Sequence, residues 1–119
     1  MSERQASTFR KGQFTDSHVK VLAYLNQLGV SYKAEEVVHC YGHFDGKGRQ
    51  INYKVDILVE DAHYFGAGVI EVEGKGSKTA NDETRDAYLT RAGISWIEHL
   101  PNKEVSLLAV SQILARHKV

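Results

Sequence analysis

One cysteine, one proline, one tryptophan and one methionine occur in 119 residues. With Cys40 alone, neither an internal disulfide nor a multi-cysteine zinc site can form. Charge of one sign is also missing in excess: 15 Lys+Arg balance 15 Asp+Glu, with six histidines taken as neutral. Global attraction to a polyanion or an anionic membrane is therefore not expected, although local patches of one sign remain open. No apolar run approaches the roughly 20 residues that span a bilayer, and Met1–Gly12 has no apolar stretch of the secretory type. Internal repeats and low-complexity segments are absent as well. What is left is the profile of a single domain, since a domain takes about 100–150 residues and one of this size buries roughly two-thirds of its surface. A cytoplasmic location is the expectation.

Residues Met1–Gln13 are polar and carry Arg4, Arg10 and Lys11 against Glu3. They read either as a frayed terminus or as an arm that touches a polyanion, so residues 1–13 are set apart from a domain spanning 14–119. From Thr15 onward Val21, Leu22, Leu25 and Leu28 recur at spacings of three and four, a helix that Gly29 stops. Val30 to Tyr41 reads as a strand with Tyr32, Ala34, Val38 and Cys40 on one face, and Gly42–Gly48 as a turn. Ile51, Tyr53, Val55, Ile57 and Val59 alternate with Asn52, Lys54 and Asp56, which predicts a second strand paired with the first in a hairpin. A short strand Val69–Glu73 follows, then a helix over about Ala80 to Ala92 with Asp82 and Glu83 in its first turn, where the helix dipole favours anions. Ile94–Leu100 is a fourth strand, Pro101-Asn102 a break, and Glu104–His117 a final helix. The order αβββαβα predicts an α/β fold, a mixed four-stranded sheet flanked by helices.

The chemistry-bearing residues are acidic. Asp56 lies near the end of its strand, opposite the apolar stripe, and Glu71 and Glu73 are one residue apart on the next strand, so they share a face. If the strands are neighbours, these carboxylates converge at one sheet edge. Gathering like charges costs free energy unless a cation sits among them, and oxygen ligands suit Mg²⁺ or Mn²⁺. The alternative is solvent-facing strand residues. It is weaker for Glu71 and Glu73, because Gly68-Val69-Ile70-Glu71-Val72-Glu73-Gly74 is mostly apolar and a charge there needs a reason.

Val55-Asp56-Ile57, then Val69-Ile70-Glu71-Val72-Glu73-Gly74, then Asn81-Asp82-Glu83-Thr84-Arg85-Asp86-Ala87-Tyr88-Leu89, then Gly93-Ile94, together resemble the PD-(D/E)XK (restriction-endonuclease-like) nuclease superfamily. The nearest pattern is the branch of very-short-patch-repair-like endonucleases, and the resemblance covers about Thr15 to Val105. It implies a restriction-endonuclease-like core and a Mg²⁺- or Mn²⁺-dependent endonuclease that nicks or cuts DNA to leave 5′-phosphate ends, as in DNA repair. Asp56 and Glu71 would hold the metal. Glu73, standing where classical members place a Lys, would be a further ligand or a base. Asp82 would be a helix carboxylate near the site, and Arg85 would contact phosphate or orient Asp82.

Two positions depart from the branch pattern. His18 stands where a Glu on the first helix is common, and Ser77 where a His is common. His18 is therefore carried as a candidate catalytic residue in the Glu's place. Lys75, between Gly74 and Gly76, shares the Glu71/Glu73 face if the strand continues, and is a candidate base or charge stabiliser or an ordinary turn residue. Lys54, Lys75, Lys78 and Arg85, with Arg10 and Lys11 of the arm, are the candidate nucleic-acid contacts, and Arg91 adds to this basic rim. The alternative function is a nucleic-acid-binding or assembly domain with little or no catalysis. With little chain beyond the core, specificity would come from DNA structure, a homodimer or a partner protein, and work at the nucleoid is implied.

The other polar residues read plainly. His39, Cys40 and His43 form a chance cluster rather than a zinc set, Trp96 is core, His63 is a loop residue, and His99 and His117 are surface.

Overall fold

The computed structural model describes residues 16–74 and 80–119, without the side chains of residues 80–82. The elements run α1 (Asp16–Gln27), β1 (Tyr32–Phe44), β2 (Gln50–Glu60), β3 (Ala67–Glu73), α2 (Ala80–Arg91), β4 (Ile94–Pro101), a 3₁₀ turn (Asn102–Glu104) and α3 (Leu107–Arg116). This is the αβββαβα order expected. The sheet is mixed, ordered β1-β2-β3-β4. Its first two pairings are antiparallel, and β3 and β4 run parallel, joined by α2.

Both sheet faces are covered, as parallel strands require. On one face Val21, Leu22 and Leu25 of α1 and Val110, Ile113 and Leu114 of α3 pack with Ile57, Val59, Ile70, Trp96 and Leu100. On the other, Leu89 of α2 packs with Val55, Leu58, Val69 and Ile94. Gly29, at φ 73, closes α1 and lets Val30 donate its N–H to the Leu25 carbonyl at 3.0 Å, a left-handed helix end that costs glycine little. The last helix begins later than Glu104, because Ser106 caps it: its hydroxyl accepts the Ala109 N–H at 3.0 Å. The first strand runs on to Phe44, past the expected turn start at Gly42. The turn proper is built on Asp45, whose Oδ1 accepts the N–H groups of Lys47 and Arg49.

One departure from simple alternation shapes the β1–β2 hairpin. Val55 shares parity with Ile57 and Val59, yet it packs on the α2 face while they pack under α1 and α3. On β1 the same switch occurs: Tyr32 and Ala34 pack under α1 and α3, whereas Val38 packs with the α2 cluster. The switch falls between the pairs Ala34↔Ile57 and Glu36↔Val55. At that point Glu35 has φ 55, a left-handed conformation that an L-residue adopts at a cost. The expected stripe of Ile51 through Val59 is thus two half-stripes on opposite faces, and Glu35 and Asp56 sit at the crossing.

Close packing at β3 sets a further constraint. A Cβ on Gly68 would stand 1.9 Å from the Trp96 ring, so Trp96 occupies the space a side chain would need. Gly68→Ala is expected to displace Trp96 and lower stability by about 1–3 kcal/mol. Urea unfolding monitored by Trp96 fluorescence checks this, and an unchanged midpoint and spectrum would refute it.

Candidate metal centre

α1 presents His18, Val21, Leu22 and Leu25 on its buried face, spaced i, i+3, i+4 and i+7. His18 is therefore the polar continuation of an apolar stripe, 6% exposed, and it points at the crossing in the hairpin. There the ligand atoms of His18, Glu35 and Asp56 all lie within 4.8 Å of one another. One imidazole and two carboxylates from three separate elements form a group able to hold a metal ion. Glu35 and Asp56 are acids facing each other across β1 and β2, an arrangement that is destabilising by itself. Lys54 relieves part of it, its Nζ standing 3.5 Å from Glu35.

Asp56 also joins this group to β3. The register of β2 with β3 ends at Ile57↔Ile70, and beyond it carboxylates take over from the ladder. Val72 donates its N–H to Asp56 Oδ2 at 2.8 Å, and Asp56 donates its own N–H to Glu71 Oε2 at 3.3 Å. Glu71 is 6% exposed. Its pKa is pushed up to about 7, chiefly by burial and then by the Asp56 charge, against the opposing pull of Arg85. Arg85 Nη2 donates to Glu71 at 3.2 Å and to the Lys54 carbonyl at 2.6 Å, and its guanidinium lies 5.7 Å from the Tyr53 ring centroid. Arg85 is thereby committed to Glu71 and the β2 backbone.

Glu73 turns elsewhere. Its carboxylate meets Nδ1 of His99, whose Nε2 pairs with Asp86 of α2 at 2.6 Å. His99 is not a surface residue: its side chain is 15% exposed, closed in by the sheet and α2. Burial pushes the imidazolium down, but the hydrogen bonds and charges of Asp86 and Glu73 outweigh it and raise the pKa overall. A raised histidine pKa gives stability that is fully present below the unfolded value and is lost as pH rises through the folded one. His99→Ala is accordingly expected to destabilise the protein more at pH 6 than at pH 9. Thermal melts at the two pH values measure the gap, and an equal loss at both would contradict it.

Of the residues singled out in the sequence, the structure brings together His18 and Asp56, then Asp56 with Glu71, and Glu71 with Arg85. Glu73 is held apart by His99. Lys54 lies beside Glu35. Arg10, Lys11, Lys75, Ser77 and Lys78 lie outside the described residues, as does the side chain of Asp82. Arg91 lies 5.5 Å from the Tyr88 ring centroid. Trp96 is core, and His117, expected at the surface, stacks on it at 4.2 Å and pairs with Glu98. His39 bonds Asn52, Cys40 is buried and His43 packs edge-on against Tyr88, so these three form no ligand set among the described residues.

Glu35 was not legible as a site residue, because its place depends on the face switch. His99 carried a usable signal: a strand buried on both faces leaves no solvent side for an alternating histidine.

One imidazole and two carboxylates offer nitrogen and oxygen donors of the kind that divalent ions accept. Comparison of the chain with protein-family models, with curated proteins and with solved structures gives no match. No helix among the described residues is long and apolar enough to cross a membrane.

Proposed function

We propose that this chain is a divalent-metal-dependent endonuclease that hydrolyses DNA phosphodiester bonds, leaving 5′-phosphate ends, on a restriction-endonuclease-like core. One observation carries the reading. Asp56 sits where β2 and β3 part, bonded to the Glu71 strand on one side and grouped with His18 and Glu35 on the other. An acid in that place has structural partners and still contributes an oxygen to a three-residue group.

His18, Glu35 and Asp56 would hold the ion. Bound there, a divalent ion supplies Lewis-acid stabilisation of phosphoryl charge and lowers the pKa of water. The chain's own groups supply the rest. Glu71, whose burial raises its pKa above the ordinary carboxylate value, is a carboxyl able to take up and return a proton. Arg85 fixes the orientation of Glu71 and limits how far its pKa climbs. Lys54, largely exposed beside Glu35, meets an incoming phosphate and gives binding a salt dependence. No lysine stands at position 73, and Glu73 is engaged by His99, so the charge stabilisation that a lysine gives classical members falls to Lys54 or to the ion.

That same engagement of Glu73 favours the second reading, a nucleic-acid-binding domain with weak or no catalysis. Incubation of the full chain with supercoiled plasmid, flapped DNA and RNA, in Mg²⁺, Mn²⁺ or EDTA, separates the two. Cleavage in Mn²⁺, weaker in Mg²⁺ and absent in EDTA, is the expected result. Binding without cleavage in any metal would replace the nuclease reading with the second.

A further inference from the structure

The geometry points to a platform for unpaired DNA on the open face of the β1–β2 hairpin, leading to the metal centre; we propose that single-stranded segments, not continuous duplex, are the substrate. The proposal rests on the nuclease reading and names the substrate class of that site.

α1 and α3 pack over the half of the hairpin that contains Tyr32, Ala34, Ile57 and Val59. Past Glu35 and Asp56 the apolar side turns to α2, with Val38, Tyr53 and Val55 packed there. The face switch therefore leaves the opposite side of the outer hairpin uncovered by the described elements. Val37, His39 and Tyr41 of β1 and Asn52 and Lys54 of β2 are all exposed, Tyr41 at 74% and Val37 at 42%. The cross-strand pairs Val37↔Lys54 and His39↔Asn52 place them on one surface.

The chemistry of that surface fits bases better than another protein. The His39 and Tyr41 rings lie 5.6 Å apart at 32°, two adjacent π-faces. Asn52 bonds both His39 and Gln50 at 3.0 Å, an amide row that can pair with base edges. The formal charge among these side chains is Lys54, exposed and paired with Glu35 at 3.5 Å, so the face carries no carboxylate of its own to repel a phosphate and its one cation lies at the end nearest the centre. From Tyr41 to Glu35 is six residues, about 20 Å of strand, enough for a few nucleotides. Duplex DNA keeps its bases stacked inside, whereas unpaired bases stack on exposed rings.

A second copy pairing along β1 is the competing occupant. The strand is poorly suited to it: its register is irregular between Cys40 and Phe44, and Glu35 has a positive φ, features that blunt an edge against pairing.

Fluorescence anisotropy in EDTA, with a labelled single-stranded oligonucleotide and its duplex, tests the platform apart from catalysis. Single strands should bind more tightly than duplex. Tyr41→Ala and His39→Ala should each weaken single-strand binding about tenfold, Tyr41→Phe should retain it, and Asp56→Asn should leave it in place. Equal affinity for both forms, or no effect of Tyr41→Ala, overturns the platform even if metal-dependent cleavage is found. Ring-dependent single-strand binding with no cleavage in any metal supports the platform and discards the nuclease reading. If Tyr41→Ala instead abolishes self-association in sedimentation equilibrium and leaves DNA binding unchanged, the face belongs to a second copy and the proposal fails.

Discussion

Asp56→Asn is expected to reduce metal-dependent cleavage by about a thousandfold or more while leaving the fold intact. The asparagine carbonyl can still accept the Val72 N–H that Asp56 Oδ2 accepts at 2.8 Å, so the junction of β2 and β3 survives. What disappears is the negative charge in the group with His18 and Glu35. Charge stabilisation at a metal site is worth several kcal/mol, and each 1.36 kcal/mol is tenfold in rate. A readout independent of catalysis follows from linkage. A ligand at a hundred times its Kd stabilises the native state by about 2.7 kcal/mol, so saturating Mn²⁺ should raise the melting temperature of the native chain by several degrees. Asp56→Asn should abolish that shift, and His18→Ala should reduce it. A variant that cuts at the native rate, or still melts higher in Mn²⁺, would remove Asp56 from the centre.

Arg85→Met is expected to be the most damaging single change to stability among the charged residues around the site, about 2–3 kcal/mol at pH 8. Arg85 and Glu71 side chains are 22% and 8% exposed, and removing one partner of a buried pair leaves the other charge without compensation. The cost should shrink at pH 6, because Glu71 can then take a proton instead of remaining charged. Restoring neutrality with Glu71→Gln in the same chain should recover most of the loss, which a double-mutant cycle by urea denaturation measures.

The sign of the Glu71 contribution in the native chain follows from its raised pKa. Between its ordinary value of 4.5 and about 7 the folded state holds a proton that the unfolded state has released. Stability from this group therefore falls as pH rises through that window and is level above it. In EDTA, Glu71→Gln should flatten that decline, since the amide does not titrate. Parallel pH curves for the two proteins would show that Glu71 is not held near neutrality.

The order of elements could be read from apolar spacing, because each periodicity was local. Val21, Leu22 and Leu25 declared α1, Gly29 its end, and the alternation from Ile51 to Val59 declared β2. Trp96 was legible as core for the same reason. The acidic residues Asp56 and Glu71 were legible as a pair because a charge on an apolar, central strand needs a partner, and each supplies a hydrogen-bond acceptor to the other's strand.

The remainder depended on contacts between residues far apart in the chain. Nothing in the alternation of Tyr32 to Cys40 marks the reversal at Glu35, since a positive φ at one residue redirects side chains without changing their spacing. The antiparallel register sets Glu35 opposite Asp56, and the reversal lets α1 carry His18 to both and turns the outer hairpin's rings outward. Glu73 was expected among the ligands on parity with Glu71. It pairs instead with His99, because the parallel register of β3 and β4 sets Glu71 beside His99 and Glu73 beside Pro101, within reach of an imidazole that Asp86 of α2 holds from the other side. The order of elements along the chain and the positions of carboxylates on their strands were determined by the sequence itself. Which carboxylates share a centre was decided by the twist, register and helix packing of the folded chain, where burial makes each charge take the partner that three dimensions put within reach.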